Sequence, residues 1–140
     1  MKEIELQKDF LAGDAIETIY FGGGTPSLCT KGEIESIISA IRLFFKVSEG
    51  AEITLEANPD DITGEKLSDW KEAGINRLSI GVQSFFEEDL KWMNRAHTAG
   101  QAVGCLQLAV NHFDNITIDL IYGTPQLSNE NWKQNVETAI

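Results

Sequence analysis

"IYFGGGTPS", residues 19–27, joins an apolar run to three successive glycines and then to Thr25, Pro26 and Ser27. Adjacent glycines raise the entropy cost of folding, so such a run marks a place where something must come close to the backbone. Its position after β-rich residues makes it a loop leaving a strand. Reading outward from it shows whether the chain repeats that arrangement.

It does, in about four strand–helix units. "IETIYF" (16–21), "AEITLEA" (51–57), "RLSIGVQ" (77–83) and "NITIDLIY" (115–122) are short β-rich runs with period-two alternation. A helical pattern follows each. Ile34, Ile37, Ile38, Ile41 and Phe45 share one helical face in the first, with Thr30 and Glu33 spaced as a capping box. Leu67, Trp70 and Ala73 mark the second, closed by Gly74. The third interval holds two starts, Ser84 with Glu87 and Thr98 with Gln101, and the latter leads a stripe of Ala102, Leu106, Ala109, Val110 and Phe113. Trp132, Val136 and Ile140 begin a last helix, and residues 3–11 read as the tail of an earlier one. Alternation with crossovers of this length predicts one α/β unit with a parallel sheet wound right-handed.

Parallel strands are usually apolar on both faces, and these are not. Leu78, Ile80 and Val82 alternate with Arg77, Ser79, Gly81 and Gln83; Ile53 and Leu55 alternate with Glu52, Thr54 and Glu56; Ile116, Ile118 and Leu120 alternate with Asn115, Thr117 and Asp119. One face therefore packs on helices, and the other reads as the polar inner wall of a partial parallel (β/α) barrel, because four strands cannot close one. The polar residues crowd towards the C-terminal strand ends, where α/β folds place their sites.

A net charge of −11 argues against nucleic acid or an anionic membrane as partner. No apolar run is long enough to span a bilayer, and "MKEIELQKDF" lacks a signal-peptide core, so the expected location is the cytoplasm. Cys29 and Cys105 stand alone and far apart, which suits two reduced, small apolar residues.

"IYFGGGTPS", "EITLEANP", "AGINRLSIGVQSF", "NRAH" and "ITIDLIYGTP", in this order and spacing, resemble the radical S-adenosylmethionine (SAM) proteins related to oxygen-independent coproporphyrinogen III oxidase, from about Ile16 to the end of the chain. "EANP" and "SIGVQSF" followed by "NRAH" are similar to the haem chaperone subgroup. The resemblance implies SAM lying across the C-terminal strand ends of an incomplete barrel. Gly23, Gly24 and Thr25 would pass under its methionine part, with any Cβ at 23 or 24 filling the ligand's place. Glu56, Gln83, Arg95 and Asp119 match the remaining SAM-contacting positions, and their chemistry suits an ammonium, a carboxylate and ribose hydroxyls. Arg95 also reads as a helix cap or a solvated side chain, and Gly81 and Asn58 read as serving the backbone. A phosphate cradle is the weaker reading of "GGGTP", which lacks the P-loop lysine and in which Pro26 has no amide to donate.

The resemblance also implies a [4Fe–4S] cluster on a C-x-x-x-C-x-x-C loop, and no such loop occurs in the sequence. Residues 1–140 are accordingly expected to be the central part of a radical SAM barrel domain. The N-terminal strand with its cluster loop, about 60 residues with a helix and leader, and a C-terminal region would be supplied elsewhere. This chain alone should not cleave SAM. The resemblance makes porphyrin or haem a further ligand, and His97, in the loop near Arg95, is its candidate, otherwise reading as a solvated loop histidine; His112 reads as placed at a negative helix end. The expected function is the SAM-binding portion of a protein of haem or porphyrin metabolism, either chaperone or anaerobic oxidase. The alternative is a piece of another barrel enzyme that binds a phosphorylated small molecule.

Overall fold

The computed structural model describes residues 2–140. In chain order the elements are α1 (Lys2–Leu6), β1 (Ile16–Phe21), α2 (Lys31–Phe44), β2 (Val47–Ala57), α3 (Gly64–Glu72), β3 (Arg77–Gln83), α4 (Glu87–Trp92), α5 (Ala99–Ala109), β4 (Ile116–Leu120) and α6 (Asn129–Thr138), with short 3-10 turns at Pro26–Leu28 and Pro59–Asp61. The four strands form one sheet in the order β1-β2-β3-β4, and every pairing is parallel.

The apolar parity of the strands becomes the core. Ile53, Leu55, Leu78, Ile80 and Val82 are almost fully buried against Ile34 and Ile38 of α2, Leu67 and Trp70 of α3, and Ala102, Cys105 and Ala109 of α5. Burying a side chain of this size contributes about 1.5–3 kcal/mol, so this single layer of helices carries most of the sheet's stability. The opposite face is polar but internally tied. Arg77 donates to Thr54 Oγ1 at 3.2 Å and to Thr117 Oγ1, and its Nε lies 3.8 Å from Glu52.

Helix boundaries follow local chemistry in most places. Thr30 with Glu33 and Thr98 with Gln101 form complete capping boxes. After α3 the amide of Ile75 bonds Trp70 O and that of Gly74 bonds Lys71 O, the paired closure that a left-handed residue at Gly74 permits.

Elsewhere tertiary demands override it. β2 starts at Val47, four residues before the alternating run, because Val47 pairs with Ile16 across an irregularity in the β1 ladder. Phe45 lies beyond α2 in extended backbone. The expected Ser84–Glu87 box does not form: α4 begins after Phe86 with no side-chain cap, Ser84 Oγ is recruited by buried Asp89, and the Glu87 carboxylate accepts from Ala99 N at 2.6 Å. Val110 and Val136 are exposed, and the residue that α6 buries is Asn135.

Candidate functional site

At the C-terminal ends of the strands the polar face opens into a half-enclosed cleft of about 180 Å³, between the glycine loop and the loops after β2 and β3. Of the residues expected in a site, Gly24, Thr25, Glu56, Gln83, Arg95 and Asp119 all line it. Gly23 does not; its amide donates to Glu56 Oε2 at 3.1 Å, just behind the wall. Ser27, Asn58, Ser79 and Gly81 also line the cleft. Ser79 is marked in the sequence by its polar parity in β3, whereas Ser27 is marked only by its place in the glycine-loop stretch.

The glycine run has an internal logic of its own. A Cβ on Gly22 would sit 2.6 Å from Tyr20 Cε1 and 2.8 Å from Glu56 Oε1, so the close approach there is made by the protein's own side chains. Gly23 and Gly24 have φ of +73° and +130°, a region that disfavours other residues whatever surrounds them. The space beside both is open, with no atom within 4 Å of a Cβ built there. Backbone conformation therefore requires these glycines even without a ligand, while the open space leaves room for one.

Each polar side chain of the cleft is held by named partners. Glu56 accepts from Tyr20 Oη at 2.9 Å as well as from Gly23. Partial loss of surrounding water and the bond to this carboxylate both raise the Tyr20 phenol above its ordinary range. Arg95 Nη2 donates to Asn58 Oδ1 at 2.9 Å and lies 3.4 Å from Gly81 O, so its guanidinium is held within the cleft rather than free in solvent. Asn58 thus serves a side chain as well as its own turn. Gln83 folds back over Gly81, where a Cβ would lie 2.7 Å from Gln83 Nε2. Asp119 is exposed, 3.4 Å from Ser79 Oγ. The glycine loop is clamped to the next one by Ser27 Oγ, which donates to Asp61 Oδ2 at 2.6 Å, and by Lys66 Nζ, which donates to Ser27 O.

This donor set presents two carboxylates, one guanidinium, two side-chain amides and the glycine-loop backbone. It fits an α-amino acid group beside hydroxyls, as SAM would offer. It does not fit a dianionic phosphate, which would face two carboxylates against one cation.

The cysteines do not fit a cluster. Cys105 is buried on the core-facing side of α5, with its thiol pushed up to about 11 by desolvation. Among the described residues no three His, Cys, Asp or Glu side chains are grouped to hold a metal ion. His97 is buried, not solvated: its Nε2 lies 3.0 Å from Val82 O and its Nδ1 3.8 Å from Asp60. His112 places Nδ1 3.0 Å from Leu108 O at the end of α5, as its position suggested.

A family model described as "Radical SAM superfamily" matches residues 2–139. The chain is 34% identical over 141 aligned positions to the haem chaperone HemW of Escherichia coli (strain K12), covering all of this chain and 37% of that protein. It is 36% identical over 126 positions to the mitochondrial radical S-adenosyl methionine domain-containing protein 1 of Mus musculus, covering 89% of this chain and 28% of that one. The solved structure of coproporphyrinogen III oxidase (HemN) from Escherichia coli, described as a radical SAM enzyme, superposes with a TM-score of 0.84 at 31% identity, over 97% of this chain and 32% of that one. The chain thus spans about a third of the length of the relatives it matches.

Proposed function

The chain belongs to the radical SAM superfamily, and from that premise we propose that its polar cleft binds SAM and that the whole protein acts in haem or porphyrin metabolism, as a haem chaperone or an anaerobic coproporphyrinogen oxidase. The observation that carries the first part is the convergence of Glu56, Gln83, Arg95 and Asp119 with the Gly24–Thr25 backbone in one cleft. In this reading Glu56 and Asp119 receive the ammonium and the ribose hydroxyls. Arg95, oriented by Asn58, meets the carboxylate, and the Gln83 amide bonds to either side. Gly23 and Gly24 keep the loop backbone bare beneath the methionine part. SAM is a net monocation, which suits a cleft with two carboxylates in a chain of net charge −11.

A bound [4Fe–4S] cluster would supply the electron that cleaves SAM. Its ligands lie outside residues 1–140 in this reading, which takes the chain as the central part of the barrel domain. The likeness to HemW and HemN supports haem or porphyrin as the whole protein's ligand. His97 is poorly placed to hold that ligand, since it is buried with Nε2 at Val82 O and Nδ1 towards Asp60. A cytoplasmic location without nucleic-acid partners belongs to the same reading, supported by the negative charge. Among the described residues no helix is long and apolar enough to cross a membrane.

Equilibrium calorimetry with SAM tests the cleft. Wild-type protein should bind, and Glu56→Ala and Arg95→Ala should each weaken binding by about 1.5–3 kcal/mol, the worth of a charged hydrogen bond. Unchanged affinity in both variants would overturn the assignment.

A further inference from the structure

Gln83 is the outlier among the cleft residues. It adopts φ of +68°, which for a residue with a Cβ is strained backbone. It also sits where the β3–β4 register shifts, between Ile80 and Gln83. Such strain persists only where the surroundings over-determine it, and it concentrates at functional sites.

The surroundings here are a buried polar network that the cleft does not itself use. Ser84, the next residue, is buried, and so are Asp89, Thr124 and Asn135, drawn from α4, the segment after β4, and α6. Ser84 Oγ donates to Asp89 Oδ2 at 2.8 Å and accepts from Phe86 N and Asn135 Nδ2, each at 3.1 Å. Thr124 Oγ1 donates to Asp89 Oδ1 at 2.7 Å, and Phe85 N donates to Asn135 Oδ1 at 2.8 Å. The Asp89 carboxylate is thus held by hydroxyls, and among the described residues no cation pairs with it. Burying a carboxylate on those terms is costly, and an apolar packing would support the helix more cheaply.

The network does something an apolar packing could not. It fixes the chain just after Gln83: Ser84 is anchored from α4 and α6, Gln83 O accepts from Ile121 N at 2.9 Å in the segment that leads to Thr124, and the amide of Ser84 bonds Val82 O at 2.9 Å across Gln83. Asp89 lies on the short helix whose end delivers Arg95, and the amide of Arg95 bonds Leu90 O at 2.9 Å. We propose that Ser84, Asp89, Thr124 and Asn135 are positioning residues for the ligand cleft, holding Gln83 in its left-handed conformation and registering the helix that carries Arg95 against β3. The functional part of this inference rests on the cleft being the SAM site; the geometric part does not.

Thr124→Val removes one donor at constant size, and Thr124→Ser restores it. In ligand-free protein, amide hydrogen exchange at Ile121 should accelerate about tenfold in Thr124→Val while that at Ile75, at the opposite end of β3, stays the same. Thr124→Ser should return Ile121 to the wild-type rate. In calorimetry with SAM, Thr124→Val should weaken binding about tenfold in the wild-type background, add less than that in Gln83→Ala and in Arg95→Ala, and add fully in Glu56→Ala.

If Thr124→Val fails to fold, Asp89→Asn is carried through the same measurements. Equal acceleration at Ile121 and Ile75, or none at either, would overturn the inference by showing general support or no role. So would full additivity with both Gln83→Ala and Arg95→Ala. If Ile121 responds as expected but wild-type protein does not bind SAM, the SAM reading fails while the positioning role of the network stands.

Discussion

The Glu56 carboxylate accepts the backbone amide of Gly23 at 3.1 Å, so a β2 side chain fixes the shape of the glycine loop that leaves β1. Glu56 is in this way both a wall of the cleft and the anchor of the loop beside it. Glu56→Ala should therefore lower stability by about 1–2 kcal/mol before any ligand is added, since the amide and Tyr20 both lose a charged partner. Chemical denaturation of ligand-free protein checks this; an unchanged midpoint would mean that the loop holds itself.

Gly22 and Gly24 should fail for different reasons. Gly22→Ala places a methyl against Tyr20 and Glu56, so it should displace the carboxylate and weaken SAM binding more than it lowers melting temperature. Gly24→Ala meets no atom but must adopt φ of +130°, which should cost about 1–3 kcal/mol of stability with or without ligand. Thermal melting and calorimetry on the same samples separate the two. A Gly22→Ala variant that binds like wild type would show that Glu56 yields freely.

The two thiols should differ in reactivity and in their effect on stability. Cys105 is buried and its thiol is raised to about 11, so it should resist a thiol reagent until the protein unfolds, while the half-buried Cys29 reacts first. The folded state holds the Cys105 proton more tightly than the unfolded chain, whose thiol titrates near about 8.5. That contribution to stability is complete below the unfolded value and is lost as pH rises towards about 11. Denaturation midpoints of wild type and Cys105→Ala across this range check the sign: the fall with pH should be shallower in the variant.

Anaerobic incubation of residues 1–140 with iron and sulfide should give no stable cluster absorbance, because two separated thiols, one of them on the core-facing side of α5, cannot supply the three ligands a SAM-binding cluster needs. A stable cluster spectrum would mean that chains assemble to share their cysteines.

Affinity for SAM should fall as salt rises, since a net cation approaches a chain of charge −11. Inorganic phosphate at the same ionic strength should compete no better than chloride. Strong competition by phosphate would favour the reading of the cleft as a phosphate site.

The sequence by itself determined the periodic features. The strands alternate because one sheet face meets helices and the other does not, and residues such as Leu78 and Ile80 declare that face within a few positions of one another. The two complete capping boxes are equally local, closing over three residues. The polar parity that put Glu56, Gln83 and Asp119 on one wall belongs to the same class of information, and they do share one cleft. What tertiary structure decided is which polar groups meet across the chain. Gly23 and Glu56 are 33 residues apart, and Ser84 and Asn135 are 51 apart. No local pattern distinguishes an asparagine that will be buried from one on a solvated helix face, so the spacing of Trp132, Val136 and Ile140 points to α6 but not to Asn135, the residue it buries. Ser84 looked like a helix cap because a serine three residues before a glutamate usually is one. In the folded chain Asp89 and Asn135 compete for the same hydroxyl and win, because a buried carboxylate without a donor costs more than an uncapped helix end exposed to water.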